Sequence, residues 1–217
     1  MIVVTCQQGT QEWLDARCGA VTASCFADAI SVLTRKSGGK EAGDPTGASD
    51  KYCYDLAIER VSGRPYGEPV KAWTLERGHA LEVEARIEYE AKTGYLASES
   101  GVILTDDRRF GYSSDGLVED DGLIEIKCPV DSVKIVDMLR TGDVSEYYYQ
   151  IQGGLWISGR KWCDFIQYVP ALENGGNHLF IKRIERDEAF IELMVEKLLA
   201  FDMRVNEAVA LLSKKVA

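Results

Sequence analysis

The chain has 217 residues, enough for one domain with a full core, and its share of hydrophobic (46%) and charged (28%) residues is that of an ordinary globular protein. Acidic residues outnumber basic ones by 35 to 25, a formal charge of −10, which excludes a basic protein that coats nucleic acid without specificity. No apolar run approaches the roughly 20 residues that cross a bilayer, and the first residues lack the basic start and long apolar stretch of a signal peptide.

Residues 12–17 fit a short helix, and Thr22 and Ser24 offer N-cap oxygens to a second one running to about Ile30. Residues 37–50, rich in glycine and without an aliphatic side chain larger than alanine, read as a flexible loop inserted in one domain. Residues 51–62 form a helix with Tyr54, Ile58 and Val61 on one face and Gly63 as its stop. A longer helix from near Val70 to Thr93 carries the apolar row Ala80, Val83, Ile87 and Ala91, and Glu82 lies well away from that row.

The middle of the chain changes period. Residues 101–104, 110–118 and 123–127 read as strands, with Asp120-Asp121-Gly122 as the tight turn of a hairpin. Helical patterns return at 133–139 and 144–157, followed by strands at 162–169 and 179–184 joined by the loop 173–177. An amphipathic helix over 187–213 closes the chain, with Phe190, Met194, Leu198, Phe201, Val205, Ala208 and Leu212 on one face. This order predicts one α/β domain over residues 1–217, built around a single sheet. The six cysteines are scattered, with no CxxC pair, and the only histidines are His79 and His178. That pattern argues against zinc and for reduced, mostly buried thiols.

The chemistry concentrates in Ser113-Ser114-Asp115-Gly116-Leu117 and Glu125-Ile126-Lys127-Cys128-Pro129. Alternation along a strand points Glu125 and Lys127 to one face and sends Ile124 and Ile126 into the core. Asp115, on the other arm of the hairpin, comes close to Glu125 on the antiparallel return. Two adjacent carboxylates make a hard-oxygen site suited to Mg²⁺. A neighbouring lysine could orient or deprotonate the attacking water, or counter charge developing on a phosphodiester. An isolated E-x-K is ordinarily a surface ion pair. On the same footing Glu82 reads as a solvated residue pairing with Arg86, Gln150 as a surface amide, Ser24 as an N-cap and Arg17 as a helix-end cation. The aromatics Tyr147, Tyr148, Tyr149 and Trp156 read as core or interface, and the acidic pairs at 106–107 and 119–121 as turns.

Asp115 with Glu125-Ile126-Lys127 resembles the PD-(D/E)xK nuclease signature, and the surrounding blocks are similar to one branch, the phage lambda exonuclease-type (alkaline exonuclease) recombination nucleases. The blocks are Gln8-Gly9-Thr10-Gln11-Glu12-Trp13 with residues 17–24, Gly78-His79-Ala80-Leu81-Glu82, the two segments above, and Tyr147-Tyr148-Tyr149-Gln150-Ile151-Gln152. They occur in the family's order over residues 8–152. Ser114 stands at the signature's proline position, which shapes a turn and binds no metal.

The resemblance implies a restriction-endonuclease-like α/β fold, a central mixed sheet flanked by helices. It also implies a Mg²⁺-dependent 5′-to-3′ exonuclease on linear duplex DNA that releases 5′-mononucleotides and leaves 3′ single-stranded tails for recombination. Asp115, Glu125, the Ile126 carbonyl and Glu82 would bind two ions, for which Mn²⁺ is a possible substitute. Lys127 would be the catalytic lysine, Gln150 would order the site, and Arg17, Ser24 and Ser113 would hold the 5′-terminal phosphate. A homotrimeric ring around DNA, a single-strand annealing protein as partner, and the cytoplasm of a bacterial host complete the expectation, with no role for a membrane. A related endonuclease or structure-specific nuclease is the alternative. A catalytically silent DNA-binding or phage assembly module would have no need of the intact Asp115, Glu125 and Lys127, and a carboxylate-pair glycosidase would make no use of Lys127.

Overall fold

Two small sheets share one strand-to-strand passage, and the passage is where the acidic residues meet. In the computed structural model, residues 1–67 and 73–214 are described, apart from the side chains of residues 73–76 and 79. The first sheet holds β1 (Ile2–Val4), β2 (Val21–Thr22), β4 (Val102–Leu104) and β5 (Phe110–Tyr112), in the order β1-β4-β5-β2. The second holds β3 (Ala97–Ser98), β6 (Gly116–Val118), β7 (Gly122–Lys127), β8 (Trp162–Tyr168) and β9 (Leu179–Glu185), in the order β3-β6-β7-β8-β9. β7 and β8 run parallel, whereas β6 with β7 and β8 with β9 run antiparallel. The helices are α1 (Gln11–Ala16), α2 (Phe26–Ala29), α3 (Gly47–Ser62), α4 (Trp73–Thr93), α5 (Ser132–Thr141), α6 (Tyr148–Ser158) and α7 (Glu188–Leu212).

The expected strand over 110–118 is broken into β5 and β6, which lie in different sheets, so there are two sheets and not one. Ser114 makes the break. Its buried hydroxyl donates to the carbonyls of Gly116 (2.7 Å) and Ile124 (3.3 Å) and accepts from the Gly116 N–H (3.1 Å). The Gln8 amide fastens the same point by donating to the Ser114 carbonyl at 2.7 Å. A β-prone run therefore turns because side chains take up backbone groups that a continuous ladder would use. The hairpin turn differs as well. Gly122 is already the first residue of β7, and the left-handed residue is Glu119, at φ 46°. Gly122 is required for another reason: a Cβ there would stand 2.2 Å from the Trp162 ring.

Both long central helices bury a face other than the expected one. In α3 the inward residues are Ser49, Cys53, Leu56 and Ala57, while Tyr54 and Val61 are exposed. Small inward residues let α3 lie close to α7, where Tyr52 stacks on Phe201 at 5.7 Å. α3 also starts at Gly47, capped by the Thr46 hydroxyl, so the loop read over 37–50 ends earlier. In α4 the buried row is Ala85 and Tyr89 with Leu81 packed beside them, and Val83 and Ile87 face solvent. The Tyr89 hydroxyl donates to buried Asp164 at 2.8 Å, and Arg183 grips the same carboxylate with two bonds. This polar tie outweighs the outer aliphatic row in setting the rotation of α4. The expected start of this helix near Val70 lies outside the described residues. Arg86 pairs with Glu99 at 3.1 Å.

The segment after Thr22 is a single 3₁₀ turn, Ala23–Cys25, followed by the short α2; no side chain caps it, and Ser24 sits exposed within the turn. Of the six free cysteines only Cys53 and Cys163 are buried, fewer than the pattern implied. α7 runs from its Asp187 cap to Leu212, with Met194, Leu198, Phe201 and Val205 in the core and Leu212 exposed. Among the described residues no helix is long and apolar enough to cross a membrane.

α6 approaches β5 closely because two of its residues have no side chain. A Cβ on Gly153 would meet the Phe26 ring at 2.6 Å, and one on Gly154 the Tyr112 ring at 2.6 Å. Gly154→Ala is expected to force α6 off β5 at a cost of about 1–3 kcal/mol. Thermal unfolding would then fall by about 2–4 °C for each kcal/mol lost; an unchanged melting temperature would contradict this account of the packing.

Candidate active site

The register of β6 on β7 pairs Gly116 with Ile124, which sets the preceding residue, Asp115, beside the carboxylate-bearing end of β7. Asp115 Oδ2 accepts the Ile126 N–H at 2.6 Å. β7 is buried on both faces: Ile124 and Ile126 enter one apolar cluster with Ala85, Tyr89 and Ile166, and Leu123 enters the other. Glu125 is therefore only 1% exposed, not on an open face as strand alternation alone predicts. Three donors from three elements hold it. Lys127 Nζ lies 2.7 Å from Oε1, the Gln150 amide of α6 donates to the same oxygen, and Tyr112 Oη of β5 donates to Oε2 at 3.0 Å.

The charges are strongly coupled. Burial, and then the Glu125 charge, push the Asp115 carboxyl well above the usual carboxylate range, and Glu82 adds to the effect. Burial alone would lower Lys127, but Glu125 and Asp115 overcome it and hold the ammonium above its ordinary value. Burial, with Glu125, also raises Tyr112, so its phenol stays a donor. Among the described residues no three His, Cys, Asp or Glu side chains come together as a group able to hold an ion. Asp115 and Glu125 stand at the centre, and Glu82 of α4 lines the same cleft.

A second cluster faces this one. Thr10 caps α1, accepting the Trp13 N–H, and Arg17 ends the helix. The Arg17 guanidinium lies over the Trp13 ring at 4.4 Å and donates to Thr22 Oγ1 at 3.0 Å. Tyr52 Oη in turn accepts the Thr22 N–H at 2.9 Å. The Trp13 indole N–H donates to Ser113 Oγ at 2.8 Å. Arg17, Ser24 and Ser113 line the same cleft of about 290 Å³ as Glu82, Asp115, Glu125, Ile126, Lys127 and Gln150. All nine predicted site residues, though spread over residues 17–150, are thus brought together.

A model of the YqaJ-like viral recombinase domain matches residues 12–161. The chain belongs to this family. Among solved structures it is similar to an alkaline exonuclease from Laribacter hongkongensis, LHK-Exo. The two are 34% identical over 94% of this chain and 96% of that one, with a TM-score of 0.78, or 0.80 against the complex of LHK-Exo with dAMP. A phage-related exonuclease from Haemophilus somnus, 18% identical over 89% of this chain and 96% of that one, shares the fold with a TM-score of 0.68. No curated protein matched. The fold is therefore the mixed α/β fold of PD-(D/E)xK alkaline exonucleases, and the chain is a nuclease of the exonuclease type.

Several residues at or beside the site are not among the nine predicted from the sequence. Tyr112 is one, and no motif marks it; only the fold brings a β5 phenol to Glu125. Trp13, Thr22 and Gln8 belong to quoted blocks, but their contacts depend on the path of α1 past the break between β5 and β6. Tyr147 stacks on Phe165, Tyr148 and Tyr149 pack on Phe190, and Trp156 packs on Phe26 and Phe110, so these aromatics are core. His178 lies at a strand edge with Nε2 3.7 Å from Glu88. The side chain of His79 is outside the described residues.

Because the folded chain raises the proton affinity of Asp115, this group stabilises the fold below its unfolded pKa and ceases to do so as pH rises through its folded value. In EDTA, the melting temperature of the wild-type protein is expected to decline relative to Asp115→Asn as pH rises from 4 to 8. Parallel curves for the two proteins would show that no such proton is held.

Proposed function

We propose that this chain is a divalent-metal-dependent exonuclease that degrades the 5′-ended strand of linear duplex DNA, releases 5′-mononucleotides and leaves 3′ single-stranded tails. The observation that carries the reading is the shared cleft. An arginine and two serines stand at one part of its wall, and the coupled carboxylates with their lysine at another. LHK-Exo, 34% identical to this chain, forms a complex with dAMP, which supports a nucleotide as ligand.

The donor set fits a hard cation. Asp115 and Glu125 supply oxygen ligands with lone pairs left over from the bonds described, the Ile126 carbonyl is a third, and Mg²⁺ takes few carboxylates and keeps several waters. Glu82 would act on a second ion or on its water. When bound, the metal supplies charge neutralisation and activation of water; Mg²⁺ is the expected ion and Mn²⁺ a substitute. Lys127 keeps its proton beside Glu125, donates to the attacking water and counters the charge growing on the phosphoryl oxygens. Gln150 and Tyr112 fix the orientation of Glu125. Arg17 offers a planar guanidinium to the terminal phosphate, and the Ser24 and Ser113 hydroxyls add donors. The ring of three subunits and the annealing protein partner belong to the same proposal and rest on the family resemblance.

Degradation of linear duplexes with and without a 5′-phosphate, in the presence of Mg²⁺ or EDTA, tests the reading. Activity is expected on linear DNA only, with a preference for the phosphorylated 5′ end and none in EDTA. Cleavage of covalently closed circles would favour an endonuclease instead. Lys127→Ala is expected to lower the rate by about 10²–10³-fold, with DNA retention in a gel-shift assay largely intact.

A further inference from the structure

We infer that Trp13 is a positioning residue that couples the terminal-phosphate anchor to the cleavage centre, so that a seated 5′-phosphate accelerates the cut. This inference rests on the function proposed above. Trp13 touches both sides of the cleft. Its ring face carries the Arg17 guanidinium at 4.4 Å, and its indole N–H holds Ser113 Oγ at 2.8 Å. Ser113 lies two residues before Asp115, on the far side of the Ser114 turn.

Neither end of this link is loose. Beyond Arg17 the chain is tied by Thr22 to Tyr52, and by the Glu59 carboxylate, which accepts the Gly19 N–H at 2.6 Å. Beyond Ser113, the buried Ser114 hydroxyl and the Gln8 amide lock the turn, and Asp115 is held on the Ile126 N–H. The ring itself packs against the cluster of Ala20 with Val102 and Leu104 of β4. An indole is rigid, so it transmits position between α1 and the passage from β5 to β6 without the slack of a long aliphatic side chain. A phosphate seated on Arg17 is then held in register with the turn over Ser113–Asp115 that carries one of the two carboxylates. Arg17 alone could attract a phosphate, but without the indole its long side chain would not hold it at one distance.

The test uses the full chain with Mg²⁺ and reads the ratio of kcat/KM on 5′-phosphate and 5′-hydroxyl duplexes. Trp13→Phe keeps an aromatic face for Arg17 and loses the N–H. It is expected to lower the ratio about three- to tenfold, the scale of one lost hydrogen bond. Trp13→Leu, which can also disturb the packing of α1, is not needed for the decision. The double variant Trp13→Phe/Ser113→Ala is expected to have the ratio of Ser113→Ala alone, because the same bond is already broken. A folded Trp13→Phe protein with the wild-type ratio overturns the inference, as do multiplicative losses in the double variant. A wild-type enzyme indifferent to the terminal phosphate would instead remove the reading of the Arg17 cluster on which it rests.

Discussion

The buried carboxylate of Glu125 is the constraint around which the rest of the molecule is arranged. Moving a carboxylate out of water costs several kcal/mol unless it is hydrogen-bonded, and here β5, β7 and α6 each supply one donor. Each donor imposes a demand on its element. Tyr112 requires β5 to run beside α6, Gln150 requires α6 to lie close, and the absence of side chains at Gly153 and Gly154 makes that approach possible. Lys127 requires β7 to continue as strand for two residues beyond the acid.

The second demand is geometric. One polypeptide must leave the first sheet and enter the second within three residues, Ser113 to Asp115. Each of those three does different work. Ser113 meets the indole of α1, Ser114 turns the chain through its hydroxyl, and Asp115 faces Glu125. A continuous strand there would have pointed Ser113 and Asp115 to the same face by alternation. The break allows one to join the arginine cluster and the other the acidic pair.

The parts legible in the sequence are those whose chemistry is unusual for their setting. Asp115, Glu125 and Lys127 stand out by type, order and spacing, and the matching blocks place Glu82, Gln150, Arg17, Ser24 and Ser113 beside them. Strands 162–169 and 179–184 and the C-terminal helix were legible too, because periodicity and flanking turns agree there. The faces of α3 and α4 were not. Val83 and Ile87 outweigh Ala85 in hydrophobicity, yet the rotation of α4 follows from Tyr89 and Asp164, a pair 75 residues apart that no local pattern exposes. Tyr112 was illegible for the same reason, since its partner is set by register and not by neighbours. The short strands β1, β2 and β3 have too few residues to show a period.

The Tyr89–Asp164–Arg183 tie has a consequence for the tolerance of the chain to insertion. Glu82 and Tyr89 are seven residues apart, close to two helical turns, so they share one side of α4. Because the hydroxyl of Tyr89 is anchored at β8 and the carboxylate of Glu82 lines the cleft, the segment between them behaves as a crankshaft of fixed phase. A single residue added or removed there would swing Glu82 by about 100°, away from the cleft, while leaving the length, composition and helicity of α4 almost unchanged. Between these two residues the helix can vary in side chain but not in count.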